Sequence, residues 1–182
     1  IIGLIIIGGI GFLTWEDICE YKWKFKSYRM QSKLILATTV CLIIFPACFF
    51  FFADFQHLPV KSRFLASVFQ SVTPRTAGFN TVDITMMTEV SKVVMILLML
   101  IGGSPGSTAG GMKTTTFAVL LLNAVATFKS QEHAGAFGRR IDDQVIKNAA
   151  SIAMLYFMMF LAGGIVISTA EGLPILGSLF EA

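Results

Sequence analysis

Thirteen residues, Phe69 to Thr81, read F-Q-S-V-T-P-R-T-A-G-F-N-T. An apolar stretch that stops at a Thr-Pro pair and hands over to a turn with one glycine offers main-chain oxygens for chemistry. Gly78 can take backbone angles that point successive carbonyls to one side. Carbonyls so arranged replace the water shell of a bare monovalent cation, as the T-V-G-Y-G turns of potassium channels do. The candidate ligands are the carbonyls of Thr76, Ala77, Gly78, Phe79 and Asn80, with potassium the expected ion. Phe79 is expected to pack outward and hold the turn, and Asn80 and Thr81 to bond it from behind. Arg75 would repel a cation at the mouth of such a site. It is therefore expected to turn away and pair with an acid, Asp83 or Glu89.

A second stretch, I-G-G-S-P-G-S-T-A-G-G-M-K, carries five glycines and a proline between Gly102 and Gly111. Gly102, Gly103, Ser104, Gly106, Gly110 and Gly111 leave few side-chain barriers to rearrangement, so a movable plug is one reading. Lys113 either faces a water-filled path, the usual place of a charge at membrane depth, or reaches out to the cytoplasmic face. A phosphate loop, G-x-x-x-x-G-K-[ST], is the enzymatic alternative. Met112 intrudes before Lys113, the surrounding pattern is not α/β, and no acidic metal partner is near. No enzymatic activity is expected.

These stretches need a frame, and composition says which. The 182 residues are 55% apolar and only 14% charged, with a mean hydropathy of +0.75. A soluble domain of this length needs more polar surface, so the class is all-α integral membrane protein. The cysteines Cys19, Cys41 and Cys48 have no metal or redox spacing, and His57 and His133 are isolated. The chain opens on I-I-G-L-I-I-I with no basic region before it and no Met, so it is expected to begin inside a transmembrane helix, as a fragment.

In order, residues 1–15 read as the end of an inner helix, with Trp15 as an interfacial anchor. Residues 16–33 carry Lys22, Lys24, Lys26, Arg29 and Lys33 and read as a cytoplasmic loop by the positive-inside tendency. Leu34 to Ala53 is 20 residues without a charge, about 30 Å of helix and one hydrocarbon thickness, with Pro46 a possible kink. Residues 61–72 read as a pore helix too short to cross, since Phe64 to Val72 spans roughly 14 Å. A turn at 73–81 after such a half-helix is tolerated only under cover of protein or water. Val90 to Phe128 would run about 58 Å as one helix. It is expected to break into Val90 to Ile101, an intramembrane loop at 101–114, and Thr114 to Phe128. Residues 129–147 form the second basic segment, and 148–182 hold one more crossing and the start of a half-helix.

Two echoes imply an internal repeat. S-L-F-E-A at 178–182 matches S-V-F-Q-S at 67–71, and I-I-G-G-I-G at 6–11 matches L-I-G-G-S-P-G at 100–106. The unit is helix, pore loop, helix. One unit is complete at 34–128, between the end of one and the start of another.

With F-Q-S-V-T-P-R-T-A-G-F-N-T and I-G-G-S-P-G-S-T-A-G-G-M-K-T-T together, nearly the whole chain resembles the Trk/Ktr superfamily of potassium transporters, and within it the KtrB branch. The resemblance implies four non-identical units around one pseudo-fourfold pore, with Gly78 the filter glycine of the third unit. It implies that Gly102 to Lys113 is the gating loop. It further implies potassium as the transported ion, sodium as a possible coupling ion, and a multi-pass location in the cell membrane among lipid. A homodimer on a KtrA-like cytoplasmic nucleotide-binding ring is implied as well. No nucleic-acid partner is expected. The rival reading is a coupled secondary transporter of another small solute or cation.

Overall fold

The structure is a computed structural model and describes residues 1–22, 24–80, 82 and 87–182. The chain begins with α1 (Ile2–Ile10) and α2 (Phe12–Tyr21), which meet at 94° across Gly11. The expected single inner helix therefore turns at Gly11 and continues into the basic segment, well past Trp15. Trp15 spans the bend: its Nε1 donates to the Ile7 carbonyl at 3.0 Å. The basic segment is short of true loop. After a 3-10 turn at Phe25–Ser27, Asp17 accepts the Arg29 backbone N–H at 3.0 Å and ties α2 to the next helix.

That helix, α3 (Met30–Ala53), has 24 residues and is long and apolar enough to cross a membrane. It runs unbroken through Pro46. α4 (Val60–Val72) has 13 residues, about 20 Å, and cannot cross. Pro59 precedes its first turn, and Pro74 cannot supply an N–H to continue it, so both ends are written locally. The expected half-helix is present one residue longer than read.

The long apolar span breaks as expected into α5 (Glu89–Leu100) and α6 (Thr114–Phe128). At 12 and 15 residues neither reaches a bilayer thickness alone. α5 starts at Thr88, whose hydroxyl caps Ser91 N–H at 3.3 Å. A hairpin of two-residue strands, β1 (Gly135–Ala136) and β2 (Arg139–Arg140), follows, a small departure from an all-helical chain. α7 (Asp143–Glu171) has 29 residues and is the second helix that can cross. It is capped by Asp142 and ends on left-handed Gly172. α8 (Ile175–Glu181) begins after Pro174.

Two apolar clusters hold these elements. One packs Phe50 and Phe55 against Met87, Met95 and Leu98, with α4 contributing Ala66. The other packs Leu34 against Ala118, Val119 and Ala126, with Ile141 and Ala149. The first fixes α4 between α3 and α5; the second joins α3, α6 and the start of α7. Asp54 adds a polar clamp at the end of α3. It accepts the Thr88 N–H at 3.1 Å and the Ser91 hydroxyl, so it sits at the start of α5, where negative charge is favoured.

Candidate cation-binding site

The turn after α4 is built on a polar, fully covered base. Ser67, Gln70, Ser71, Thr73 and Arg75 are all buried. Gln70 Nε2 donates to the Met95 sulfur at 2.9 Å, which fixes the last turn of α4 against α5. Thr73 N–H closes on Phe69 at 2.9 Å, Arg75 N–H on Val72 at 3.2 Å, and Ala77 N–H on Thr73 at 3.2 Å. Thr76 and Gly78 then adopt positive φ, 58° and 68°. Ala77 between them does not, so the backbone changes hand residue by residue. Positive φ is costly for a threonine, and its hydroxyl bonds the Arg75 carbonyl at 2.8 Å.

Thr76, Gly78, Phe79 and Asn80 are exposed and Ala77 is half-buried. A Cβ placed on Gly78 would meet nothing within 4 Å. The residues of the five candidate ligands thus lie at the surface of the chain, but the Phe79 carbonyl is engaged from the covered side by the Thr73 hydroxyl. Phe79 does point outward, 56% exposed. The turn is held from behind by Thr73, whose hydroxyl donates to the Phe79 carbonyl. Sequence reasoning gave that task to Asn80 and Thr81. No bond from Asn80 appears among the described residues, and Thr81 lies outside them. Thr73 was legible only as the residue before Pro74.

For Arg75, one of the two expected acids is excluded. Glu89 pairs with Lys92 at 3.0 Å and not with Arg75, because both lie on the first turn of α5. Asp83, the other candidate, lies outside the described residues. Arg75 is 5% exposed, and its Nη2 would stand 3.9 Å from a Cβ on Gly9. It has turned toward the end of α1. Among the described residues its Nε and Nη2 have no hydrogen-bond partner.

The glycine-rich loop lies beside the turn: a Cβ on Gly110 would be 3.8 Å from the Thr76 methyl. Its two arms pair with each other. Gly102 N–H donates to Met112 at 2.9 Å and Met112 N–H to Leu100 at 3.2 Å. Gly103 accepts from Thr114 N–H at 3.1 Å, and the Ser104 and Thr114 hydroxyls bond at 3.1 Å. A side chain on Gly102 would run into the Gly110 carbonyl, so the arms can close only on a glycine there. Lys113 is half-buried. Its Nζ bonds back to the Ala109 carbonyl at 2.8 Å. The loop follows a helix rather than a strand, so the phosphate-loop alternative lacks its context.

Known proteins align with this chain as follows. The family described as TrkH, cation transport protein, matches residues 1–182. The potassium/sodium uptake protein NtpJ of Enterococcus hirae is 36% identical over 176 residues, covering 94% of this chain and 39% of that protein. The Ktr system potassium uptake protein B of Bacillus subtilis is 34% identical over 184 residues, covering 98% of this chain and 41% of that protein. The chain thus spans about two fifths of the length of these relatives. The crystal structure of the potassium transporter TrkH from Vibrio parahaemolyticus superimposes with a TM-score of 0.80 at 19% identity, over 98% of this chain and 40% of that one. That likeness shows a shared, mostly helical fold. A match along the whole length, two relatives above 30% identity and a shared fold lead to one conclusion: this chain belongs to the TrkH family of cation transport proteins.

Proposed function

We propose that the complete protein carries potassium into the cell through a filter to which this chain contributes the turn Thr76–Asn80. The observation that carries the reading is the alternation of backbone hand at Thr76, Ala77 and Gly78 on an exposed turn at the end of a half-crossing helix. Such a turn presents oxygens without presenting charge, which suits a weakly hydrated monovalent cation. The glycine-rich loop, touching Thr76 through Gly110, is the gate. Potassium is in the names of both relatives above. Sodium stands beside it in the name of NtpJ, and we assign it as the coupling ion. In the cell membrane the complete chain acts as a homodimer on a KtrA-like nucleotide-binding ring.

The test is Gly78→Ser in the full-length protein, measured as potassium and rubidium uptake in competition with sodium and an amino acid. Potassium uptake and its preference over sodium should fall while insertion is unchanged. Unaltered potassium uptake by inserted protein refutes the filter. Competition by the amino acid would move the assignment to a solute transporter.

A further inference from the structure

Between α1 and α2 the chain has two sets of unspent backbone groups. The last carbonyls of α1 and the first N–H groups of α2 lack partners within their own helices. The glycine-rich loop satisfies one of each. Ser104 N–H donates to the Gly9 carbonyl at 3.0 Å, and Phe12 N–H donates to the Gly106 carbonyl at 3.2 Å. These two bonds bracket Gly11, which has φ 86°. The Pro105 carbonyl occupies the place where a Gly11 side chain would begin, closer than real Cβ atoms come. A Cβ on Gly8 would stand 3.6 Å from the Thr108 hydroxyl, so the contact continues along the loop.

We propose that Gly11, in the repeat before the one that carries the loop, is a positioning residue for the gate: the bend at Gly9–Phe12 is the seat on which the closed loop rests. The proposal rests on the reading of Gly102–Lys113 as the gate. The geometry gives it two requirements. The seat tolerates no side chain at Gly11, because of both the positive φ and the Pro105 carbonyl. Lifting the loop frees the Gly9 carbonyl and the Phe12 N–H together, so the seated position is favoured by two backbone hydrogen bonds. The seat also gives α2 a hold on the gate. α2 begins at Phe12 and is fixed to the start of α3 through Asp17 and Arg29. A displacement of α2 on the cytoplasmic side therefore pulls directly on Gly106.

The experiment uses the full-length protein in proteoliposomes, with native cysteines including Cys19, Cys41 and Cys48 replaced by serine. Gly8→Cys and Thr108→Cys are introduced together; their predicted side-chain approach is within disulfide reach. Oxidation should form the bond and abolish rubidium flux, and a reductant should restore it. In a separate variant, Gly11→Ala should raise flux roughly fivefold or more, the scale of a strained backbone position, with the potassium-to-sodium ratio unchanged. Failure of the bond to form, or a bond that leaves flux unaltered, overturns the seat. Should Gly11→Ala fail to insert, the cysteine pair decides alone. Shortening the loop between Gly102 and Gly111 separates the two readings. If flux does not rise there although the disulfide forms, the gate itself is wrong and the role of Gly11 falls with it. If shortening raises flux but the disulfide does nothing, only the seat is wrong.

Discussion

Substituting Gly78 by asparagine, alanine and valine separates conformation from size. The φ of 68° is left-handed, and a Cβ there meets open space within this chain. The cost of a side chain should then come from the backbone alone. For alanine that is about 1–2 kcal/mol, a factor of roughly 5–30 in potassium affinity at about 1.4 kcal/mol per tenfold. Valine, β-branched in a left-handed position, should cost about 3 kcal/mol and more than about a hundredfold. Asparagine tolerates this region best after glycine and should lose less than about fivefold. The expected order is therefore asparagine, alanine, valine, although asparagine is larger than alanine. The assay is the concentration dependence of rubidium uptake by the full-length variants, normalised to inserted protein. An order that follows volume, with alanine milder than asparagine, would refute the conformational argument and place another part of the protein against Gly78. Equal affinities across the series would remove Gly78 from the site.

Three further outcomes follow from the same geometry. Asp54→Asn should lower the thermal midpoint in detergent, since it weakens a charge-assisted bond to Ser91 and the charge at the α5 start, together about 2 kcal/mol; an unchanged midpoint would deny the clamp. Gly102→Ala should raise flux in the full-length protein, because its Cβ would meet the Gly110 carbonyl and part the Leu100–Met112 pairing; flux that merely falls in inserted protein would count against a plug. Arg75→Gln and Glu89→Gln should have additive effects on stability, within about 0.5 kcal/mol, since Glu89 is occupied by Lys92; a larger coupling would restore the ion pair that the sequence led us to expect.

What could be read in advance was whatever length and local punctuation decide. α4 is a half-helix because Pro59 and Pro74 bracket too few residues to cross. The α5–α6 break was legible because glycine is dense where the apolar span is twice too long. The echo between 6–11 and 100–106 was visible too, yet its meaning was not. In the structure these two glycine segments touch, Gly9 against Ser104. Contacts of this kind join residues nearly a hundred positions apart and leave no period in the sequence. Asp54 on α5 and Arg75 turned toward Gly9 bridge shorter separations but likewise leave no period. The hairpin at 135–140 escaped because two-residue strands have no alternation to detect, and Gly138 alone marks the turn. In a chain this apolar, hydropathy says what lies in the membrane but says little about which face meets which.

Lys113 has an electrical consequence. Its ammonium is bonded to the Ala109 carbonyl, so its nearest partner belongs to the loop and not to a neighbouring helix. A shift of the loop therefore carries a whole positive charge with it. Moving one elementary charge through the full membrane potential changes its energy by about 2.3 kcal/mol per 100 mV. Travel through a tenth of that field gives about 0.2 kcal/mol per 100 mV, well under thermal energy. If the loop is the gate proposed above, it responds to voltage only faintly, and Lys113→Met should flatten even that slope.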